Sequence, residues 1–240
     1  IDNRPGAGGV VGSVMITKAA PDGYTLGMIG QPYLINALLQ KDAQYRALED
    51  VAAIAETATL ANVLVVSPNL PVKSTAELLR RAKARPGFKS AAGINVVHVP
   101  FKLLSDVFTE MMAGRVHIYM FPLPAVMPML KDRKLNVLAV GTQQAVPSLP
   151  GVPTIGESGL PGFVSMSWFG VVGPVKTARP LVQQLNKDIN AILRQPDTKE
   201  RFLRQGADPA PATPEEFQKL LQDEFARFQK LVKAAGISTQ

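Results

Sequence analysis

Asn3-Arg4-Pro5-Gly6-Ala7-Gly8-Gly9-Val10-Val11-Gly12, followed after a short helical stretch by Ala20-Pro21-Asp22-Gly23-Tyr24, is the part of the sequence that decides its reading. A glycine-rich loop that opens a helix presents unpaired backbone N–H groups and a partial positive charge, so it can hold an anion without a charged side chain. The same loop also serves as a tight strand–helix turn, and the residues alone leave both roles open. A loop of this kind normally follows a strand. None fits before Asn3, so the sequence is expected to open in mid-domain. Pro21-Asp22-Gly23 closes the helix with turn residues. Tyr24 to Ile29 then reads as a short apolar strand closed by Gly30.

Farther along, strand and helix signals alternate. Gln31 to Leu39 reads as loop and short helix. Val51 to Val66 is a long β-prone stretch, with Ile54–Thr57 and Val63–Val66 as its strongest parts. Ser74 and Glu77 form a capping box for a helix that runs to about Ala84 and stops at Arg85-Pro86-Gly87. Ile94–Val99 is a buried-type strand, Ser105–Ala113 a helix with Gly114 as its left-handed cap, and Val116–Phe121 a further strand. Ala125–Leu130 is a helical turn, Leu135–Val140 a strand, and Pro147–Gly162 a proline- and glycine-rich connection. Trp168–Val172 is a strand, and two amphipathic helices, Ala178–Arg194 and Pro214–Ala235, close the chain. The alternation predicts an α/β fold with mostly parallel sheets.

The 240 residues carry a net charge of +7 and no cysteine. Without thiols there are no thiolate metal sites, thiol nucleophiles or disulfides. No apolar run reaches the length of a membrane span. The start at Ile1 has neither a basic nor an apolar leader region, so a signal segment is expected to have been removed. The densest basic cluster, Arg80, Arg81, Lys83, Arg85 and Lys89, lacks interleaved aromatics and reads as the solvated face of a helix, so no nucleic-acid partner is expected. The positive excess serves solubility or the steering of anionic ligands.

Catalytic patterns are lacking. His98 and His117 each fall inside a predicted strand among apolar neighbours, which is a structural setting for histidine, and neither has zinc-site spacing. There is no GxSxG elbow, no Walker lysine after Gly8-Gly9, and the dinucleotide pattern fails at Val11. No catalytic, metal or cofactor site is assigned.

Asn3-Arg4-Pro5-Gly6-Ala7-Gly8-Gly9 with Lys18-Ala19-Ala20-Pro21-Asp22-Gly23-Tyr24-Thr25-Leu26 strongly resembles the Bug/TctC family of periplasmic solute-binding proteins, which serve tripartite tricarboxylate transporters. Val96-Val97-His98-Val99-Pro100-Phe101-Lys102, Leu149-Pro150-Gly151-Val152-Pro153-Thr154, Gly159-Leu160-Pro161-Gly162-Phe163, Ser167-Trp168-Phe169-Gly170 and Thr213-Pro214-Glu215-Glu216-Phe217 follow in the family's order. The resemblance implies a two-lobed flytrap fold with crossing hinge strands that closes on a small carboxylate. It also implies membrane permease subunits as partners, a periplasmic location, a monomer and no catalysis. Lobe one is expected to hold residues 1–62 and 168–240, and lobe two residues 63–167. The cleft residues expected are Gln31, Pro32 and Tyr33, then Pro100, Phe101 and Lys102, then Phe121 and Pro122, and Ser167 with Trp168. Rival readings are a ligand-sensing flytrap that docks on a signalling receptor, and an α/β enzyme using Lys102 or His98.

Departures from the family pattern carry their own expectations. The family's first strand and Pro-Gly-Gly loop, upstream of Asn3, have no counterpart here. A strand, a loop of small residues and most of a helix have none between Ser90 and Ala91, and both pieces hold ligand-binding loops in the family. Leu103-Leu104 and Phe121-Pro122 replace smaller or polar residues at two loops. They point to a ligand with an apolar or aromatic body, or equally to the loss of a cleft contact.

Overall fold

The computed structural model describes residues 1–40, 43–83 and 104–234. The predicted strand Ile94–Val99, with His98, the Ser90–Ala91 junction and the candidates Pro100, Phe101 and Lys102 lie outside the described residues. In chain order the elements are a 3-10 turn Ala7–Gly9, α1 (Val10–Lys18), β1 (Gly27–Gly30), α2 (Gln31–Leu39), β2 (Val51–Val66), α3 (Thr75–Lys83), α4 (Leu104–Met112) and β3 (Ile118–Pro122). They continue with α5 (Leu123–Lys131), β4 (Asn136–Val140), β5 (Met166–Pro174), α6 (Arg179–Leu193), α7 (Pro196–Arg204), β6 (Ala207–Pro209) and α8 (Pro214–Ala234). The chain divides into two compact units. One comprises Ile1–Thr59, Trp168–Leu203 and Asp208–Gln240, and the other Leu60–Ser167 with Arg204–Ala207.

The opening loop is a turn that only glycine makes cheaply. Gly6, Gly8 and Gly9 have φ of 143°, 66° and 103°, in the left-handed half of backbone space. The carbonyls of this loop are used locally. Asn36 Nδ2 donates to Gly8 O at 2.9 Å and Ser13 Oγ donates to Gly9 O at 2.9 Å, which ties the loop to α2 and α1.

In the first unit, β1 pairs antiparallel with β5 (Gly27 opposite Val172, Gly30 opposite Phe169), and β5 neighbours β2. One sheet face carries Ile29, Trp168, Val172, Val51 and Ala53 against Tyr33 and Leu34 of α2 and Phe217 and Leu221 of α8. Ile54 packs instead with Val182, Leu185 and Ile189 of α6. Buried amides secure α6: Asn186 Nδ2 donates to Ile54 O at 2.7 Å and to Ala212 O at 2.8 Å. Gly170 lies so close to Phe217 that a methyl there would overlap the ring. Its hydrogen is what lets α8 sit down on β5.

In the second unit, β2 lies between β3 and β4. Val63 faces Phe121 on one side and Val140 on the other, and both ladders are antiparallel. This corrects the expectation of mostly parallel sheets. The β3–α5–β4 crossover does give β3 and β4 a common direction, as the alternation implied. The chain, however, inserts β2 between them in the opposite sense, so every ladder with a defined register runs antiparallel. Ala61, Val63 and Val65 face α4 and α5 through Val107, Met111, Leu123 and Val126. Leu64 and Val66 face Leu78 of α3 and Ile155. Both faces are covered, which is why β2 reads as a near-continuous apolar run rather than an alternating one.

Local chemistry sets the ends of the helices. At α3, Ser74 Oγ accepts from Glu77 N–H at 3.1 Å, while Glu77 Oε2 reaches back to accept from Lys73 N–H at 3.0 Å. Thr213 and Glu216 make the reciprocal pair at α8. Gly114 caps α4 with φ 73°. Among the elements not expected, α7 and β6 follow α6, and α5 is a full helix despite Pro124 and Pro128.

Glu56 is half-buried in β2, and burial pushes its carboxyl up to about 7 from 4.5. The folded state therefore binds this proton more tightly than the unfolded chain. The contribution of this one group to stability is fully present below about pH 4.5 and is lost as pH rises to about 7, a change of about 2 kcal/mol once solvent screening at a half-buried site is allowed for. Glu56→Gln is expected to abolish that decline, so that its melting temperature exceeds that of the parent at pH 8 and matches it at pH 4. Parallel pH profiles for the two proteins would refute the assignment. Gly170→Ala is expected to cost about 2–3 kcal/mol in urea denaturation. Gly156→Ala, whose methyl would have its nearest neighbour at 3.7 Å, should cost less than about 1 kcal/mol.

Candidate functional site

Strand ends, rather than a cluster of reactive side chains, are where this chain gathers groups suited to holding a ligand. In the second unit β3 and β4 share a direction, so their carboxyl ends, Pro122 and Val140, lie at the same end of the sheet. Ligands of α/β sheets bind beyond such ends. Asn62 of β2 stands opposite Pro122 and organises this rim. Gly141 N–H donates to Asn62 O at 2.7 Å, Ser165 N–H donates to Gly141 O at 2.7 Å, and Asn62 N–H donates to Ser165 O at 3.3 Å. The amide side chain continues the ring: Asn62 Nδ2 donates to Ser165 Oγ at 3.0 Å, and Ser167 Oγ donates to Asn62 Oδ1 at 2.9 Å. Asn62 is buried, and an amide whose oxygen and nitrogen are both engaged carries no desolvation penalty there. A methyl at Gly141 would overlap the Ser165 carbonyl, so glycine is required where the three segments meet. Beside them α5 begins at Leu123 with no side-chain cap, and Pro124 occupies its first turn, where a missing N–H costs least.

The first unit has a comparable rim at the end of β1. Gly30 is the N-cap of α2, again without a side-chain cap, and Gln31, Pro32 and Tyr33 form the first turn. Pro32 is exposed. Gln31 Nε2 donates to Glu224 Oε2 at 3.2 Å, and Arg227 holds the same carboxylate with two bonds of 2.7 and 2.8 Å. Tyr33 is buried: its hydroxyl donates to Ala47 O at 3.1 Å and its ring stacks on Tyr45 at 4.9 Å. Burial foremost, then the neighbouring Tyr45, keeps this hydroxyl protonated far above its ordinary range. Trp168 is buried edge-on against Phe217, 5.7 Å between centroids. Its indole N–H has no partner among the described residues.

The structure thus sorts the sequence-based candidates into two groups. Gln31, Pro32, Tyr33 and Trp168 gather at the end of β1, and Phe121, Pro122 and Ser167 gather about Asn62. Within these groups three side chains serve the cores. Phe121 is fully buried, stacked on Phe108 at 4.6 Å and tilted against Tyr119 at 4.3 Å. Its ring is therefore spent inside the unit, as are those of Tyr33 and Trp168. His117 also departs from its expected setting: it is exposed, just ahead of β3, and its carbonyl accepts from Ser67 N–H at 2.9 Å. Asn62, Ser165 and Gly141 were not singled out from the sequence. The available signal was Asn62 itself, a lone amide inside the apolar run from Leu60 to Val66. Among the described residues no three His, Asp or Glu side chains cluster to hold a metal, and no helix is long and apolar enough to cross a membrane.

Known proteins share both the sequence and this architecture. A UPF0065 protein encoded in the tcbD-tcbE intergenic region of Pseudomonas sp. is 31% identical over 252 residues, spanning 97% of this chain and 75% of its own length. BugT of Bordetella pertussis is 30% identical over 257 residues, spanning 98% of this chain and 79% of its own. Both alignments are longer than the 240-residue chain itself, so each relative carries residues with no counterpart here. Among solved structures, an R. palustris protein with adipate superposes with a TM-score of 0.89 at 31% identity, over 99% of this chain and 86% of that one. The sequence pattern of the tripartite tricarboxylate transporter family receptor, TctC, matches residues 1–88 and 87–237. The chain is therefore a member of the TctC family of tripartite tricarboxylate transporter receptors.

Proposed function

We propose that this chain binds a small carboxylate in the periplasm and delivers it, as a monomer, to the membrane permease subunits of a tripartite tricarboxylate transporter by lobe closure. The observation that carries this reading is the likeness over 99% of the chain to a 31% identical structure holding adipate. The rims fit the role. They offer backbone at the starts of α2 and α5, where N–H groups hold a carboxylate without a dedicated cation. A net charge of +7 favours the approach of anions. Gln31, Pro32 and Tyr33, Pro100 to Lys102, Phe121, Pro122, Ser167 and Trp168 remain the assigned ligand positions, with Tyr33, Phe121 and Trp168 contributing backbone. No covalent step is assigned to any of them, in keeping with a receptor.

A thermal-shift panel of adipate, succinate, malate and benzoate, with glucose as a neutral comparator, tests the ligand class. A carboxylate at 100 times its Kd stabilises the folded form by about 2.7 kcal/mol. For a chain of this size that is a rise of roughly 5–10 °C in melting temperature. Glucose is expected to leave the melting temperature unchanged. A panel in which no carboxylate moves it would overturn the reading.

A further inference from the structure

We infer that Phe169 selects for the hydrocarbon body of the bound carboxylate, a refinement that rests on the carboxylate-binding reading above. Phe169 stands in β5 opposite Gly30, the last residue of β1 and the one from which α2 springs. Strand alternation places its neighbours Trp168 and Gly170 on the opposite face, and that face is filled. Trp168 meets Phe217 edge-on, and Gly170 has no room for a methyl beneath the same ring.

The Phe169 ring is on the other face and stays 40% exposed, while Met28, on that face two residues before Gly30, is 67% exposed. A methyl at Gly30 would lie 3.2 Å from two atoms of the ring. The ring therefore leans over bare glycine backbone at the strand end, and no β1 side chain comes between them. Its own backbone is anchored, because Thr57 Oγ1 donates to Phe169 O at 3.0 Å. An aromatic face left in water beside a strand end contributes little to the core but gives a ligand a rigid apolar wall.

Such a wall favours one class of carboxylate over another. A methylene chain or an aromatic ring laid on Phe169 loses only apolar hydration. A short hydroxylated acid would have to bring its hydroxyl against the ring without a hydrogen-bond partner. The ligand class is thus a carboxylate with an unsubstituted hydrocarbon body.

Calorimetric titration of the parent chain, Phe169→Ala and Phe169→Leu with adipate and with malate provides the test. The parent is expected to bind adipate more tightly than malate. Phe169→Ala should weaken adipate about 10-fold or more and malate less than about 3-fold, and Phe169→Leu, which keeps an apolar wall, should recover most of the adipate affinity. A parent that prefers malate overturns the inference. So does a Phe169→Ala protein that binds both acids as the parent does or weakens both alike. In that last case a lowered melting temperature without ligand marks Phe169 as a structural residue. If the parent binds neither these acids nor any other carboxylate, the carboxylate-binding reading itself fails, and this refinement falls with it.

Discussion

Val63 has its backbone between Phe121 of β3 and Val140 of β4, and it is fully shielded from water. A buried strand must satisfy its N–H and C=O groups on both edges, and β2 does so along its length with β5, β3, β4 and β6 as neighbours. Its first half belongs to one unit and its second half to the other. The ladder then fixes what surrounds it. Pro122 must end β3 opposite Asn62, Gly141 must follow β4 at the same level, and the return of the chain at Ser165 must close the ring of hydrogen bonds through Asn62. One amide in an apolar strand thereby holds three distant segments in register. The same burial raises the Glu56 carboxyl, since a charged group in a covered strand loses its hydration.

The functional character follows from what these strand ends present. Helices α2 and α5 both begin immediately after a strand, both place proline in the first turn, and neither has a side-chain cap. The large aromatics near those starts, Tyr33, Phe121 and Trp168, face inward and make the rims rigid rather than sticky. Exposed beside them at the β1 rim are Met28, Pro32 and the ring of Phe169. A surface of that kind suits reversible capture of a small anion. It agrees with membership of a receptor family.

Much of the fold was legible because its signals are local. The α3 cap was readable from Ser74 and Glu77, the end of α4 from Gly114, and α8 from its amphipathic period and acidic first turn. Helix α7 escaped notice because Pro196 looks like a stop and the segment buries no residue that would mark a face. Helix α5 was read as a mere turn because Pro124 and Pro128 hide a helix that tolerates both. The site was less legible. Phe121 at a strand end looked like a cleft residue, yet its face of β3 is the one covered by Phe108. Phe169 stood in the sequence only as part of a family motif, and nothing beside it in the chain showed that its ring would stay 40% exposed.

The sequence by itself determined the order and kinds of elements, the tight glycine turns and the family, because these rest on propensity, period and motif within a few residues of each other. Tertiary structure alone decided the direction of the ladders and which strand residues face core or solvent. The reason is that a strand takes its partners from far along the chain, and side chains alternate every residue. Whether Phe121 or Phe169 is buried therefore depends on what packs above the sheet, not on the residues beside it.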